Sequence, residues 1–177
     1  RPDVLSFISP VLSDSLTVAG PLMANLSVAI TGTDADWVVK LIDVYPDTTG
    51  NPDNNPCNVQ MGGYQRLLRA EIMRSKFRNS FSDPEPLEPD SVHNITIRMN
   101  DVLHTFKPGH RIMIQVQSSW FPLFDRNPQT FVDIYQARRS DFKKAVHKVY
   151  HSHEHPSFIK MRIFKPHTME PFLITHE

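Results

Sequence analysis

One set of side chains in this sequence is of the types that catalyse acyl transfer. An acyl-transfer triad combines a nucleophile, a base and an orienting acid, which Ser118 or Ser119, His110 and Asp125 could supply. A serine nucleophile also needs a strained turn with small neighbours that exposes its hydroxyl beside an oxyanion hole. Neither serine has such neighbours, and the sequence contains no G-x-S-x-G string. We therefore interpret both serines as ordinary hydrogen-bonding residues and assign no catalytic residue to this chain.

A second group of reactive side chains lies in the segment 151–155, which offers three imidazoles and the carboxylate of Glu154. A closed metal site would need further ligands from elsewhere and a supporting shell around them. We interpret the segment as a solvated loop and predict no metal and no cofactor. The single cysteine, Cys57, excludes an intramolecular disulfide and is interpreted as a buried or idle thiol.

The third group is the segment 120–128, where aromatic residues and prolines are densest. Such a segment is typical of a domain interface, of core packing or, with convergent polar groups, of a sugar platform. We expect an interface, in which Arg111 and Arg126 serve as ion-pair or carbonyl-capping partners. The predicted interface residues are Arg111, Trp120, Phe121, Phe124, Asp125 and Arg126.

Composition limits the kinds of protein that could carry these groups. The chain has 177 residues, of which 40% are hydrophobic and 21% charged, as expected for one globular domain. Nineteen Lys and Arg balance nineteen Asp and Glu, so the chain has no net positive charge that would attract a phosphate backbone. We therefore predict no nucleic-acid partner. No apolar run approaches the roughly 18 residues that span a bilayer, and we predict no membrane partner.

The elements that must position these groups are mainly strands. β-Branched and aromatic runs recur between Pro, Gly, Asp and Asn, and apolar residues alternate in several of them. A Pro- and Asn-rich stretch at 46–56 predicts a surface loop. The pattern predicts an all-β sandwich or jelly roll. The predicted strands cover residues 22–30, 37–45, 64–73, 92–99, 111–118 and 158–164.

One segment has a different period. Apolar side chains in the segment 140–151 follow the i, i+3, i+4, i+7 and i+8 spacing of a helix, from Phe142 to Tyr150. Ser140 is the expected N-cap, and Asp141 would lie near the positive end of the helix dipole. The spacing therefore predicts one short amphipathic helix.

Four strings together resemble one family. The chain is similar to the C-terminal domain of bacterial α-amino acid ester hydrolases and glutaryl-7-aminocephalosporanic acid acylases, relatives of cocaine esterase and of the X-Pro dipeptidyl-peptidases. The resemblance covers residues 1–163 and leaves the tail 164–177 outside. The strings are TDADWVVKLIDVYPD at 33–47, MRSKFRNS at 73–80, GHRIMIQVQSSWFP at 109–122 and DRNPQ at 125–129.

The resemblance implies a parent of three parts, namely an α/β-hydrolase domain with a serine nucleophile, a helical cap and a C-terminal jelly-roll β-sandwich of the galactose-binding-like type. This chain resembles only the third, so residues 1–177 are expected to form one domain excised from a longer polypeptide and inactive alone. The family's triad and its acidic substrate-recognition cluster lie outside it. Expected partners are the parent's own hydrolase and cap domains, with a possible homo-oligomer, and the parent is expected to be periplasmic or secreted. The alternative is a stand-alone carbohydrate- or ligand-binding module.

Overall fold

Strands form where apolar side chains recur at every second residue. The computed structural model describes residues 3–164, and there it has nine strands in two antiparallel sheets. Three short 3₁₀ helices, Ser75–Phe77, Ile134–Gln136 and Arg139–Asp141, lie in the connections. The strands are Val4–Ile8 (β1), Leu16–Ile30 (β2), Asp36–Val44 (β3), Gln65–Arg74 (β4), His93–Phe106 (β5), Arg111–Gln117 (β6), His147–Tyr150 (β7), Phe158–Lys160 (β8) and Ile163–Phe164 (β9).

The first sheet has the order β1-β6-β3-β4. Its register pairs Val38 with Gln117 at one end and Val44 with Arg111 at the other. Asp36 pairs with Arg74 at the first of these ends. The end of β6, the start of β3 and the end of β4 therefore lie at the same end of the sheet.

The second sheet is built on β2, which pairs with β5 along one side and with β7, β8 and β9 along the other. Its register shifts between Gly20 and Leu22, where Gly20 has a φ of +101°. Only a residue without a Cβ adopts that conformation readily, so glycine accommodates the bulge.

The core lies between the two sheets. Alternate residues of β2 and β5 are buried, and β3 is buried on both faces over most of its length. Trp37 and Phe106 are the largest fully buried side chains. This arrangement confirms the predicted all-β sandwich, and the part of the chain described contains no helix long and apolar enough to cross a membrane.

The predicted strands agree with the observed ones in position. β2 and β5 extend beyond their predicted limits, and the strand predicted at 158–164 is divided into β8 and β9. The predicted loop at 46–56 lies within the connection between β3 and β4, as expected. β1 was not predicted from the sequence. Of the predicted tail, residues 165–177 lie outside the described residues.

The helix predicted at 140–151 is wrong. Residues 139–141 form one 3₁₀ turn, which Asp141 caps by accepting a hydrogen bond from the Arg138 backbone N–H at 2.7 Å, so Ser140 is not the cap. Residues 147–150 form β7 and pair with β2. Ala145, His147 and Val149 alternate toward the core, and the polar His147 conceals this period of two in the sequence.

Candidate functional site

The predicted interface segment leaves the first sheet where β6 ends. Residues 120–126, which we call the 120–126 loop, carry several apolar side chains that face solvent. Phe121 is 59% exposed, Leu123 65% and Phe124 39%. Apolar side chains grouped in this way mark an interaction surface more often than scattered ones do.

Contacts within the loop fix these side chains. The backbone N–H groups of Leu123 and Phe124 both donate to the Trp120 carbonyl, at 2.9 and 3.2 Å. The rings of Trp120 and Phe124 are 5.9 Å apart, and the Lys40 ammonium lies 5.1 Å from the centroid of the Trp120 ring. The Arg126 guanidinium lies 5.2 Å from the Phe121 ring. The loop is therefore ordered by its own residues and by β3.

A network of buried charged and polar groups links the 120–126 loop to the first sheet. Asp36 is 1% exposed, and Arg74 binds both of its carboxylate oxygens, at 2.8 and 3.0 Å. The same guanidinium donates to the Asp125 backbone carbonyl at 3.1 Å. The hydrogen bond to Asp36 raises the pKa of Arg74. Arg74 thus connects the sheet directly to the loop.

Asp34 is the second buried carboxylate of this network. It accepts hydrogen bonds from the backbone N–H groups of Ala35 and Lys76, at 2.9 and 3.0 Å. The Asn127 side-chain amide donates to both carboxylates, to Asp34 at 3.1 Å and to Asp36 at 2.9 Å. Burial raises the pKa of Asp34, because loss of solvent disfavours its charged form more than the hydrogen bonds favour it.

The network continues into the residues that follow the loop. The Lys76 ammonium donates to the Val132 carbonyl at 2.7 Å. The Gln129 carbonyl accepts from the Thr33 N–H at 3.1 Å, and the Gln129 side chain is hydrogen-bonded to His147 at 2.8 Å. Buried polar groups that are fully paired in this way fix one backbone arrangement. We conclude that this network positions a surface and supplies no nucleophile.

The structure keeps the residues of the acyl-transfer hypothesis apart. His110 and Ser118 flank opposite ends of β6, and the 7 residues of this strand separate their Cα atoms by about 26 Å. The imidazole of His110 is hydrogen-bonded through Nδ1 to Asp43, at 2.7 Å, and Asp125 contributes its backbone carbonyl to Arg74. The triad is therefore not assembled.

Asp43 is a third buried carboxylate, at the other end of the sandwich. It is 1% exposed and is hydrogen-bonded to His110 and, at 2.9 Å, to His104 Nε2. His104 belongs to β5 in the second sheet, so Asp43 bridges the two sheets. Tyr45 packs against His110, with ring centroids 4.6 Å apart.

The other candidate groups do not form a site. Within residues 3–164, no group of three or more His, Cys, Asp and Glu could hold a metal ion. His151 and His155 contact the rings of Phe7 and Tyr150. Cys57 is exposed.

Of the six predicted interface residues, the structure brings five together in the 120–126 loop. Arg111 is the exception, because it begins β6 at the opposite end of the sheet and donates to the Ser9 carbonyl at 3.2 Å. Sequence reasoning missed Asp34, Asp36, Arg74 and Asn127. For Asp34 and Asp36 the signal was a pair of acidic residues at the start of a buried strand, within the first recognised string. Arg74 and Asn127 lie in the second and fourth strings.

Comparison with known proteins identifies the family to which this sandwich belongs. A family described as the X-Pro dipeptidyl-peptidase C-terminal non-catalytic domain matches residues 1–160. The chain belongs to this family. Among its relatives, the cocaine esterase of Rhodococcus sp. (strain MB1 Bresler) is 34% identical over 165 residues, which are 93% of this chain and 26% of the esterase.

Solved structures agree with this membership of the X-Pro dipeptidyl-peptidase C-terminal family. An aminopeptidase from a marine sediment archaeon, Thaumarchaeota archaeon, is 47% identical with a TM-score of 0.85, over 93% of this chain and 26% of that one. An α-amino acid ester hydrolase is 44% identical with a TM-score of 0.86 and the same coverage. A CocE/NonD family hydrolase from Staphylococcus aureus, 16% identical with a TM-score of 0.63 over 91% of this chain and 30% of that one, shares the fold. The chain thus spans about a quarter of the length of its nearer relatives.

Proposed function

We propose that this chain is the non-catalytic C-terminal domain of a larger serine hydrolase, called the parent below. The parent cleaves ester or amide bonds by acyl transfer, and its substrates belong to the class of α-amino acid esters, β-lactam precursors or X-Pro peptides. The domain stabilises the hydrolase domain and its active site by packing against it. The names of the relatives support this proposal, since they include an esterase, an aminopeptidase and an ester hydrolase of which the chain spans 26%.

The observation that carries the proposal is the exposure of Phe121 and Leu123. They lie on a loop whose backbone is fixed by a hydrogen bond from Arg74. Binding costs free energy when a loop must first be ordered, and a loop already fixed by buried hydrogen bonds avoids much of that cost. Arg74 and Asn127 supply those hydrogen bonds. The 120–126 loop therefore has the properties of a preformed docking surface for the hydrolase domain.

The domain's contribution is positional. Catalytic groups must be held within about 0.5 Å of their productive geometry, and residues outside the site provide that rigidity. A β-sandwich with a paired polar network can brace the neighbouring domain without contacting substrate. Removing the contact should therefore change the stability of the parent and its kcat together.

The first test is the mass of the native gene product, measured in source cells with an antibody against this domain and identified by peptide mass spectrometry. A product several times larger than 20.4 kDa, with a G-x-S-x-G peptide outside these residues, is expected. A native product of about 20.4 kDa would overturn the proposal.

The second test compares Leu123→Asp with Leu103→Asp in the parent. Leu103 is 80% exposed on β5, so it is a matched control for adding a charge at an exposed leucine. Leu123→Asp should lower the Tm of the parent by at least about 3 °C and reduce kcat, because the charge enters an apolar interface. The control should leave both unchanged. Equal behaviour of the two variants would show that the 120–126 loop does not dock.

A further inference from the structure

The two sheets of the sandwich are open along one side. Between β1 of the first sheet and β7 and β8 of the second lies a cavity of about 550 Å³ that reaches solvent. Next to it, a cavity of about 420 Å³ shares Val116 and Val149 as lining residues. On the other side of the sandwich, β4 lies against β5, where the Arg69 side chain donates to the Asp101 carbonyl. Among the strands within residues 3–164, β4 and β5 close one side of the sandwich, and none closes the other.

The side chains along the opening belong to the inner faces of the sheets. Leu5 pairs with Val116 and Phe7 with Ile114, so Leu5 and Phe7 share the face that these residues turn toward the core. Nevertheless, Leu5 is 47% exposed and Phe7 43%. On the opposite wall, Ile159 of β8 pairs with the buried Ala24 and packs against the core. Core-facing apolar side chains that stay nearly half exposed at a wide opening indicate that something else completes the packing.

The outer edge of β1 pairs with no other strand of the described residues and is suited to pairing. Its sequence is Val-Leu-Ser-Phe-Ile, without the lysine or proline that native proteins use to block edge strands. The Ser9 N–H donates to the Ile112 carbonyl on β6. Because donors alternate along an antiparallel pair, the N–H groups of Ser6 and Ile8 point to the outer edge.

We propose that an extended strand of the same polypeptide, from outside residues 1–177, pairs with β1 and inserts alternate apolar side chains into this opening. This inference rests on the proposed function, since a parent must supply the strand. A strand fits because its side chains alternate, so that every second one enters the space between the sheets. A helix about 10 Å wide is too thick for a space between sheets that pack about 10 Å apart.

The position of the chain supports an occupant from the same polypeptide. The described residues begin at Asp3, which lines the smaller cavity directly before β1. The backbone directly before β1 therefore lies at the opening itself. The chain spans 26% of its nearer relatives, so a parent of similar length has ample further polypeptide, and tethering gives it a high local concentration.

The test compares the 177-residue chain with the parent by two measurements. The first is amide hydrogen exchange of the unaltered proteins over peptides containing Val4–Ile8. The second is maleimide labelling of Phe7→Cys, with Leu103→Cys as the exposed control, both in a Cys57→Ser background. In the parent, the β1 amides should exchange at least tenfold more slowly, and Phe7→Cys should react at least tenfold more slowly, than in the 177-residue chain. Leu103→Cys should react equally in both.

Each other outcome overturns the inference. Free labelling of Phe7→Cys in a confirmed longer parent overturns it and leaves the proposed function intact, whereas a native product of 20.4 kDa overturns both. Slow labelling with fast β1 amide exchange would show a covering surface without strand pairing. Protection that rises with concentration of the 177-residue chain would identify a second copy as the occupant. Protection that is present in that chain and lost when residues 165–177 are deleted would identify the tail.

Discussion

The guanidinium of Arg74 binds both carboxylate oxygens of Asp36, at 2.8 and 3.0 Å, although Asp36 is only 1% exposed. These residues face each other in the register of β3 and β4, so the pair forms as a consequence of strand pairing. Arg74 also donates a hydrogen bond to the Asp125 carbonyl. The sheet register therefore determines the position of the C-terminal part of the 120–126 loop.

Arg74→Met should lower the free energy of unfolding by about 3 kcal/mol, because it leaves the buried Asp36 carboxylate without its cation. Urea unfolding of the 177-residue chain at pH 7 measures this change. Arg98→Met, at an exposed position of β5, is the control and should change stability by less than about 0.5 kcal/mol. Equal losses in the two variants would contradict a structural role for the pair. Adding Asp36→Leu to Arg74→Met should recover part of the loss, because no buried charge then remains unpaired.

Gly32→Ala should destabilise the chain by about 1 to 3 kcal/mol. A Cβ at Gly32 would collide with the Gln129 carbonyl oxygen, which accepts the Thr33 N–H that joins this turn to the segment after the loop. Gly50→Ala is the matched control, because a Cβ there meets nothing within 4 Å. Thermal unfolding of both variants measures the difference. A Gly32→Ala variant as stable as Gly50→Ala would show that the backbone of Gln129 moves at little cost.

Much of the sandwich could be predicted because burial imposes a period of two on β2 and β5. The exceptions have physical causes. β1 is short and lies at an open edge, so its alternation is weak, with Leu5 and Ile8 similarly exposed. β7 was mistaken for a helix because His147 takes an inward position, where it contacts the Trp37 ring at 5.4 Å.

The site was predictable only in its surface part. Aromatic density indicated the 120–126 loop, because apolar residues in a connection need a reason to be there. The supporting network was not predictable, since Asp36 and Asn127 are 91 positions apart and meet only through the strand order. Arg111 was misplaced for the same reason, because the sequence does not show at which end of a sheet a strand begins.

His147 should make stability depend on pH below neutrality. Burial lowers the pKa of His147 from its usual 6.5, so its neutral form is favoured in the folded state. A lowered folded pKa contributes stability above pH 6.5 that is lost as pH falls through the folded value. The unfolding free energy should therefore decrease from pH 7.5 toward pH 5 more in the wild type than in His147→Gln. A wild-type and variant difference that stays constant across this range would contradict the prediction.

Asp43 should couple energetically to His110 within the buried cluster that these two residues form with His104. Asp43→Leu removes the acceptor that His104 and His110 share, and should cost about 2 to 4 kcal/mol, because both imidazoles lose a hydrogen bond in a largely buried site. Once the acceptor is gone, His110→Leu has less to lose, so the double variant should be more stable than the sum of the single losses by at least about 1 kcal/mol. Asp53→Leu, in the exposed loop after β3, is the control and should combine additively with His110→Leu. Urea unfolding at pH 7.5 measures the free energies of unfolding of all the variants in the two double-mutant cycles, Asp43 with His110 and Asp53 with His110. Additive losses for Asp43 and His110 would mean that the contact between them contributes nothing to stability.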